Sequence, residues 1–518
     1  MVIDEAQIND LDAPQLRQVV RTLIADAAGK DREIAFKQAF IDKLTHEMAV
    51  LKRLKFAAQS EAFNAEQKSL LEETIDTDLA ALAAEIEQAR PLQQERDDKQ
   101  KPRRQPLPEK LPRREVHHEP ENTTCTCGCQ LKRIGQDVAE KLDYVPGVFT
   151  VERHIRGKWV CAKCETLIQA TVPAHVIDKG LPTAGLLAQV LVAKYADHLP
   201  LYRQEAIFGR AGLALPRSTL AQWVGQCGGQ LQPLVDALRA ELLRHGVLHA
   251  DETPVAMLKP GNGKTHRAYL WSYCTTTYND TKAVVFDFAD SRGGQHARDF
   301  LGLPGERGWH GSLVCDDFSG YKACFEMGVT EAGCLAHARR KFHELWANHQ
   351  STIGERALKF FIQLYEVERE VRELDAAQRK RIRQQRARPV ADALHLWLTE
   401  QRKKVPEGSA TIKAIDYSLG RWQALTRYID DGELPADNNW VENQIRPIAI
   451  GRNNWLFAGS LRAGKRAAAV MSLVHSARLN GHDPYAYLKD VLERLPTQSA
   501  SRVDELLPHR WQAPVAST

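Results

Sequence analysis

The central part of the chain contains short apolar runs, and two of them are followed by aspartates. Val247-Leu248 and Leu313-Val314-Cys315 predict buried strands, with Asp251 and Asp316 at their carboxyl ends. Similar patterns predict strands at 267–274 and 283–288, a helix over 294–301, and a further strand and helix over 334–345. We therefore expect two acids to lie close together at one edge of a sheet.

A third acid, Glu442, lies in a segment with helical spacing. Its apolar neighbours Trp440, Ile445 and Ile448 would face inward, while Glu442 and Arg446 share another side of the helix. Carboxylate oxygens are the ligands that hard cations such as Mg²⁺ prefer. Two such ions, roughly 3.5–4 Å apart, stabilise the attacking and leaving oxygens of a phosphoryl displacement.

The order of three strands, a helix and another strand is that of the ribonuclease H-like fold. It predicts a multidomain α+β chain whose catalytic core is a mixed sheet with helices on both faces. A charged helical pattern fills much of 344–428 and predicts a helical insertion before Glu442. Its basic residues line a path for a phosphate backbone or form a solvated helix face: Arg379, Lys380, Arg381, Arg383, Arg386 and Arg388.

Apolar residues at heptad-like steps predict helices between residues 31 and 90. They form two stretches, separated by a polar interruption near 59–67: Ile34, Ile41, Leu44, Met48 and Leu51, then Ile75, Leu79, Leu82 and Ile86. A two-helix coiled coil, within one chain or between two, fits this pattern. An ordinary amphipathic hairpin is the alternative, because neither stretch sustains three or four clean heptads.

Composition narrows the class of protein only modestly. A chain of 518 residues predicts three or four domains. The net charge of +4 is too small to indicate nucleic-acid binding by itself. With no apolar run of 18 residues and no signal-peptide pattern, we expect a cytoplasmic protein. Residues 91–121 are rich in proline, lysine and arginine and predict a mobile basic linker.

Two groups of closely spaced cysteines predict a structural zinc site. Cys161 and Cys164 form a regular C-x-x-C pair, whereas Cys125, Cys127 and Cys129 offer three thiols where two are needed. A tetrahedral Zn²⁺ supplies the folding energy that so small a segment lacks. Free thiols are the alternative; a redox pair is disfavoured because no thioredoxin-like context surrounds it.

Residues 180–229 predict helices in a helix-turn-helix arrangement. A turn at Gly212-Leu213 separates two helical patterns, and the second is opened by Pro216 with a cap near Ser218. An ordinary helix pair explains this pattern equally well. If the unit binds DNA, the recognition helix presents Arg217, Ser218 and Gln222.

Four ordered motifs make the chain resemble the insertion-sequence-66-type DDE transposases, bacterial enzymes that move a mobile element. The motifs are HADETPV, the D-x-x-x-G-Y element from Asp316 to Tyr321, GCLAHARRKF, and ADNNWVENQIRPIAIGRNNWLFAGS. The likeness covers nearly the whole chain, including the amino end, the cysteine module and SLVHSARLNGHDPYAYL. Residue matching puts the family's catalytic acids on Asp251, Asp316 and Glu442, and Asp317 at a position where the family usually has glycine.

The resemblance implies metal-dependent hydrolysis of a phosphodiester at the ends of an insertion sequence, followed by strand transfer into target DNA. Mg²⁺ or Mn²⁺ would be held by the three acids, and Zn²⁺ would be structural. The implied partner is double-stranded DNA, namely the terminal inverted repeats of the element and the target DNA. A second copy of the chain and small accessory proteins of the same element are also implied, and no membrane is expected. Beside the acids, His337, Arg340, Arg446 and Arg452 would contact DNA.

The first zinc knuckle departs from the family pattern, which is usually C-x-x-C-G. Matching on 131–135 puts Cys127 on the second cysteine and Thr124 in the place of the first. Either Cys125 or Cys129 must then compensate for the missing thiol. The acids are not affected by this departure.

The expected organisation has eight regions: a helical region at 1–90, a linker at 91–121, a zinc module at 122–175, a helix-turn-helix-like domain at 176–243, the core's first part at 244–345, the insertion at 346–430, the core's second part at 431–495 and a tail at 496–518.

Two other functions fit part of this pattern. One is a DNA-binding regulator on an inactive nuclease fold, and the other is a non-mobile ribonuclease H-like nuclease. An intact acid triad disfavours the first, and the modules ahead of the core disfavour the second.

Overall fold

A computed structural model describes residues 13–57, 65–89, 107–109, 111–120, 122–124, 127–145, 148–171, 174–177, 180–258, 265–305 and 308–513. Of residues 13–15, 53–57, 65–69 and 145 only the backbone is described. The architecture is mixed α/β, with a helical amino-terminal region and two separate sheets. In the described residues, no helix is both long enough and apolar enough to cross a lipid bilayer.

The amino-terminal region consists of two helices, α1 (Ala13–Ala57) and α2 (Ala65–Ala89). They pack against each other within the chain, where Leu44, Leu82 and Ile86 are buried together with Ile41, Met48 and Leu51 around them. These six heptad-like positions therefore pair inside one chain, whereas Ile75 and Leu79 pack in a separate cluster with Leu258 and Phe457. Ile34 is an exception, because its side chain is 61% exposed.

The first sheet has four strands, β1 (Arg113–His118), β2 (Leu131–Val145), β3 (Val148–Cys161) and β4 (Leu167–Gln169). Strand β3 lies between β1 and β2 and also pairs with β4. The prediction of a mobile linker over 91–121 is wrong at its carboxyl end, because β1 runs parallel to β3 from Arg113↔Val151 to His118↔Arg156. Pairing with a remote strand orders this segment despite its composition. Residues 90–106 lie outside the described part.

Three helices follow: α3 (Ala184–Tyr195), α4 (Leu201–Arg210) and α5 (Arg217–Leu242). The predicted turn is present, with Gly212 at a φ of +85° that favours glycine. The predicted side-chain cap near Ser218 is wrong: the residue before α5 is Pro216, and it makes no side-chain cap. The Glu205 carboxylate instead accepts a hydrogen bond of 3.1 Å from the backbone N–H of Arg217.

The second sheet contains β5 (Val247–Met257), β6 (His266–Thr275), β7 (Val284–Ala289), β8 (Ser312–Cys315) and β9 (Thr330–Gly333). Its order is β7-β6-β5-β8-β9. The first three strands are antiparallel, and β8 and β9 run parallel to β5. Between them lie α6 (Gln295–Leu301) and α7 (Lys322–Glu326), and α8 (Leu335–His349) follows β9. The last strand therefore ends before the predicted 334–345.

One expectation about the sheet is wrong: Asp251 lies inside β5, not at its carboxyl end. Strand β5 continues to Met257 because β6 pairs with it as far as Met257↔His266. Pairing with β8, in contrast, stops at His249↔Val314. The apolar run at 247–248 marks only the part of β5 that is enclosed by both neighbours.

A helical insertion follows α8, as the charged pattern predicts. It comprises α9 (Thr352–Val371), α10 (Ala376–Ile382), a π-helical segment (Arg383–Ala387), α11 (Arg388–Arg402), α12 (Ala410–Gly420) and α13 (Trp422–Asp430). These helices form a hydrophobic core with one face of the sheet, in which Val247, Val314 and Phe342 are buried beside Phe361 and Leu394.

The proposed DNA path along the insertion is wrong for its two buried arginines. Arg383 is fully buried, and its guanidinium donates to the Glu368 carboxylate at 2.8 Å and to three main-chain carbonyls. Arg379 is 5% exposed and lies 3.6 Å from the ring centre of Tyr278. Arg386 and Arg388 form ion pairs with acids of the insertion. Basic side chains here satisfy internal acceptors, because an unpaired buried acceptor is costly.

The chain ends with α14 (Asn439–Gly451), α15 (Leu461–Leu479) and α16 (Pro484–Arg494), followed by short 3₁₀ turns. Helix α15 packs on edge strand β7. The hydroxyls of Ser472 and Ser476 accept hydrogen bonds of 2.8 and 3.0 Å from the N–H groups of Phe286 and Val284. This packing satisfies an otherwise open sheet edge.

Candidate active site and zinc module

Two of the predicted acids lie on neighbouring strands or directly after them, Asp251 in β5 and Asp316 after β8. In the parallel pairing, His249 is opposite Val314. Asp316 directly follows β8, and it is near enough to Asp251 for its negative charge to raise the pKa of that carboxyl. The carboxylate of Asp316 accepts a hydrogen bond of 2.9 Å from the N–H of Phe318, which orients it.

The third acid is delivered by the first turn of α14. Asn438, the fully buried residue before this helix, donates through Nδ2 to the Ala250 carbonyl at 2.9 Å. Its Oδ1 accepts from His249 Nδ1 at 2.8 Å. Both bonds attach the start of α14 to the part of β5 just before Asp251. Glu442, one turn further on, is near enough to Asp251 for its charge to contribute to the raised pKa of that carboxyl.

The acids influence one another electrostatically. The pKa of Asp251 is raised well above its ordinary 3.8, first by burial and then by the negative charges of Glu252, Asp316 and Glu442. Mutual repulsion of buried carboxylates disfavours their charged forms. A bound cation would remove this penalty.

Glu442 has basic neighbours but no hydrogen bond to them. Its Oε1 lies 3.8 Å from His337 Nδ1, and its Oε2 lies 3.7 Å from Arg340 Nη2. Both Glu442 Oε1 and His337 Nδ1 are buried and lack a hydrogen-bond partner among the described groups. Orphaned buried donors and acceptors of this kind fit a divalent ion.

A second acidic network, beneath Asp251, was missed in the sequence. The side chain of Glu252 is fully buried and accepts hydrogen bonds from Tyr321 Oη at 2.7 Å and Arg292 Nε at 2.8 Å. Arg292 also covers the ring of Phe318, 3.9 Å from its centre. Glu252 lies in HADETPV and Tyr321 closes the D-x-x-x-G-Y element, so the sequence motifs already contained these two residues of the network. Nothing local indicated Arg292.

The neighbouring Asp317 has a different environment from Asp316. Its carboxylate is exposed and lies 3.4 Å from the guanidinium of Arg421. An exposed, paired acid is poorly placed to hold an ion beside Asp251. The geometry therefore favours Asp316 over Asp317.

The predicted DNA-binding residues have unequal surroundings. Arg217 forms an ion pair with Glu72 of α2, Ser218 is half-buried and Gln222 is exposed. Helix α5 is covered by α2 where a Cβ on Gly225 would lie 2.4 Å from the Thr77 carbonyl. Near Gly225 the helix is therefore closed to a ligand, whereas Gln222 remains accessible.

Two further arginines lie on or after α14. Arg446 is exposed, on the same side of the helix as Glu442, as the helical spacing predicts. Arg452 donates to Thr253 Oγ1 at 3.3 Å and to the Pro254 carbonyl. Arg452 therefore holds the segment after α14 against β5, and its guanidinium is partly used by the protein.

Three cysteines of the zinc module converge. Cys127 Sγ lies 3.6 Å from Cys161 Sγ and 3.8 Å from Cys164 Sγ. Cys129 instead packs in a small apolar cluster with Leu131 and Cys161. Cys125 lies outside the described residues. Three thiols at this separation fit a tetrahedral Zn²⁺, with one further ligand to complete it.

Comparisons with known protein families agree with the resemblance found in the sequence. The family described as "Transposase IS66 family" matches residues 179–466, and "IS66 C-terminal element" matches 472–509. The "zinc-finger binding domain of transposase IS66" matches 122–165, and "Transposase C of IS166 homeodomain" matches 43–116.

Full-length relatives come from Sinorhizobium fredii (strain NBRC 101917 / NGR234). The uncharacterized protein y4qI is 35% identical over 99% of both chains. The uncharacterized protein y4hP is 33% identical over 92% of this chain and 89% of its own length. These relatives extend the similarity to every region of the chain but bring no described activity.

Proposed function

The chain belongs to the IS66 transposase family, and from this premise we propose that it is a DDE-type transposase acting on the ends of an insertion sequence. The proposal is supported by the hydrogen bonds through which Asn438 ties the start of the Glu442 helix to the strand of Asp251, and by the pKa of Asp251, which burial and the negative charges of Glu252, Asp316 and Glu442 raise. Three acids from two strands and one helix are the donor set of a two-metal phosphoryl-transfer site.

The sheet supports the same conclusion. Its order β7-β6-β5-β8-β9, with three antiparallel strands followed by two parallel ones, is the arrangement expected of the ribonuclease H-like class. We propose that 244–345 and 431–495 form this core, with 346–430 inserted between its two parts.

The acids would hold Mg²⁺ or Mn²⁺. When bound, such ions polarise the scissile phosphate and lower the pKa of an attacking water or 3′-hydroxyl. Asn438 keeps Glu442 close to Asp251, and the Phe318 N–H orients Asp316. Arg340 and Arg446, on the Glu442 side, are placed to neutralise phosphates next to the scissile bond. The same residues serve hydrolysis and strand transfer, since both are displacements at phosphorus.

The remaining modules would bind DNA and a second copy of the chain. We propose that Arg217, Ser218 and Gln222 contact a terminal inverted repeat, after Arg217 exchanges Glu72 for a phosphate. An exposed ion pair is weak enough for such an exchange. The zinc module, 122–175, would fix the orientation of this region. The exposed apolar residues Leu23, Ile24 and Phe36 on α1 support self-association, and small proteins of the same element would assist.

Cleavage of a duplex that carries the terminal repeat of the encoding element tests this proposal. With Mg²⁺, and with the adjacent small proteins supplied, the wild type should nick the element end and join the freed 3′ end to a second duplex. Asp316→Asn should abolish both steps, while Asp317→Asn, which alters the exposed neighbouring acid, should retain them.

Each contrary outcome has its own meaning. Retained cleavage by Asp316→Asn would disprove the acid assignment. Cleavage without joining would indicate a nuclease, and sequence-specific binding without cleavage would indicate a regulator.

A further inference from the structure

Helices α8 and α14 begin at the same place, and each directs a side chain of its first turn towards the other. The Leu335 N–H donates to the Ala436 carbonyl at 3.0 Å, and the Asn438 N–H donates to Cys334 Sγ at 3.1 Å. These bonds fix the two helix starts relative to each other. His337 and Glu442 project from them, with Nδ1 and Oε1 separated by 3.8 Å.

This separation is too long for a hydrogen bond, which joins nitrogen and oxygen at about 2.7–3.2 Å. It does suit two ligands of one ion. Imidazole nitrogens and carboxylate oxygens bind divalent ions at about 2.0–2.2 Å, so a shared ion can span up to about 4.2 Å. Because Nδ1 and Oε1 are both buried without a partner among the described groups, an ion would also satisfy both.

We infer that His337 is a ligand of the divalent ion that Glu442 holds, so that the site is a set of three acids and one histidine. This inference rests on the proposed function, and it assigns His337 to the metal instead of to DNA. Cys334 belongs to the same cluster of potential ligands. Its sulfur is occupied by the Asn438 N–H and fully buried, so it supports the helix start and is not counted as a ligand.

A histidine ligand changes which ions the site prefers. Mg²⁺ strongly favours oxygen donors, whereas imidazole suits transition metals. The site should therefore bind Mn²⁺ more tightly than an all-carboxylate site would, and the difference should depend on His337. Arg340, 3.7 Å from Glu442 Oε2, would remain free to contact a phosphate once the ion is bound.

Electron paramagnetic resonance of Mn²⁺ on the full-length, zinc-loaded protein without DNA tests the inference. Wild type should show spin-echo modulation from a directly bound ¹⁴N. His337→Gln should lose it and bind Mn²⁺ at least about tenfold more weakly, with a smaller loss for competing Mg²⁺. His343→Gln, which alters an exposed histidine on the same helix, should match wild type.

The outcomes separate the inference from the proposed function. If Glu442→Gln abolishes Mn²⁺ binding but wild type shows no nitrogen modulation, His337 is not a ligand and the acid site stands. If Glu442→Gln and Asp316→Asn bind Mn²⁺ like wild type, the acid site itself fails. Absence of the nitrogen signal from wild type overturns the inference whether or not His337→Gln folds. If His337→Gln does not fold, His337→Asn is the variant that should lose the signal.

Discussion

His249 Nδ1 donates a 2.8 Å hydrogen bond to Asn438 Oδ1, joining two buried side chains that lie 189 residues apart in the chain. His249 precedes Asp251 on its strand, and Asn438 directly precedes the helix that carries Glu442. The contact ties the start of the helix that carries Glu442 to the strand that carries Asp251. The hydrogen bond joins a residue that precedes the helical insertion in the chain to a residue that follows it.

Replacing Asn438 should therefore damage both stability and the site. Asn438→Ala leaves the Ala250 carbonyl and the His249 ring without partners and should lower the free energy of unfolding by about 1–3 kcal/mol. Chemical denaturation measures the change. Asn439→Ala is the matched control: this exposed neighbour should change stability by less than about 0.5 kcal/mol. Equal effects of the two variants would show that the buried contact is unimportant.

The protein should lose stability on mild acidification. Burial lowers the pKa of His249 and of His475 from 6.5 to about 4. Because the unfolded chain takes up these protons first, the stabilisation is complete above about pH 6.5 and is lost as the pH falls towards about 4. Each histidine then accounts for a loss of about 3 kcal/mol in the free energy of unfolding.

The contribution of one histidine can be isolated. His475→Leu should reduce the dependence of unfolding free energy on pH by up to about 1.4 kcal/mol per pH unit between those limits. His349→Leu, at an exposed position, should leave the slope unchanged. A wild-type slope in His475→Leu would mean that this histidine titrates normally in the folded protein.

Zinc content should distinguish the cysteines. Wild type is expected to bind one zinc ion per chain, and Cys127→Ser or Cys161→Ser should lose it, because their thiols converge with that of Cys164. Cys129→Ser should keep the ion, since the thiol of Cys129 is not among the three that converge. Metal analysis of the purified variants gives the result directly. Loss of zinc from Cys129→Ser, with retention in Cys127→Ser, would reverse the assignment.

The insertion depends on a buried ion pair. Arg383→Met leaves the Glu368 carboxylate, whose side chain is 11% exposed, without its partner and should cost about 3–5 kcal/mol of stability. Arg381→Met, on the exposed face of the same segment, should cost no more than about 0.5 kcal/mol. Thermal unfolding of both variants compares them. If the two melt alike, Arg383 does not stabilise the insertion.

The features predicted correctly from the sequence are those that a local pattern specifies. Apolar runs predicted the strands beside Asp251 and Asp316, and helical spacing placed Ile445 and Ile448 inside, as their burial confirms. The shared site of the three acids stays a prediction, supported by the charges that act on Asp251. The length of β5 could not be predicted from the local sequence, because β5 continues past Asp251 only through its pairing with β6.

The errors concern contacts between remote segments. Composition described 113–118 as linker, yet pairing with β3 orders it. Charge placed Arg383 on the surface, whereas Glu368 and carbonyls from 428–434 enclose it. Likewise, nothing near Arg217 indicated that Glu72 would pair with it. Such partners are not encoded in the spacing of neighbouring residues.

The central claim is that Asp251, Asp316 and Glu442 hold divalent ions in common. Anomalous X-ray diffraction from crystals of the protein with an element-end duplex and Mn²⁺ tests it most directly. The account predicts two Mn²⁺ peaks among these carboxylates, each within about 2.0–2.3 Å of its oxygen ligands. Mn²⁺ bound elsewhere, with the three carboxyl groups too far apart to hold the same two metal ions, would contradict it.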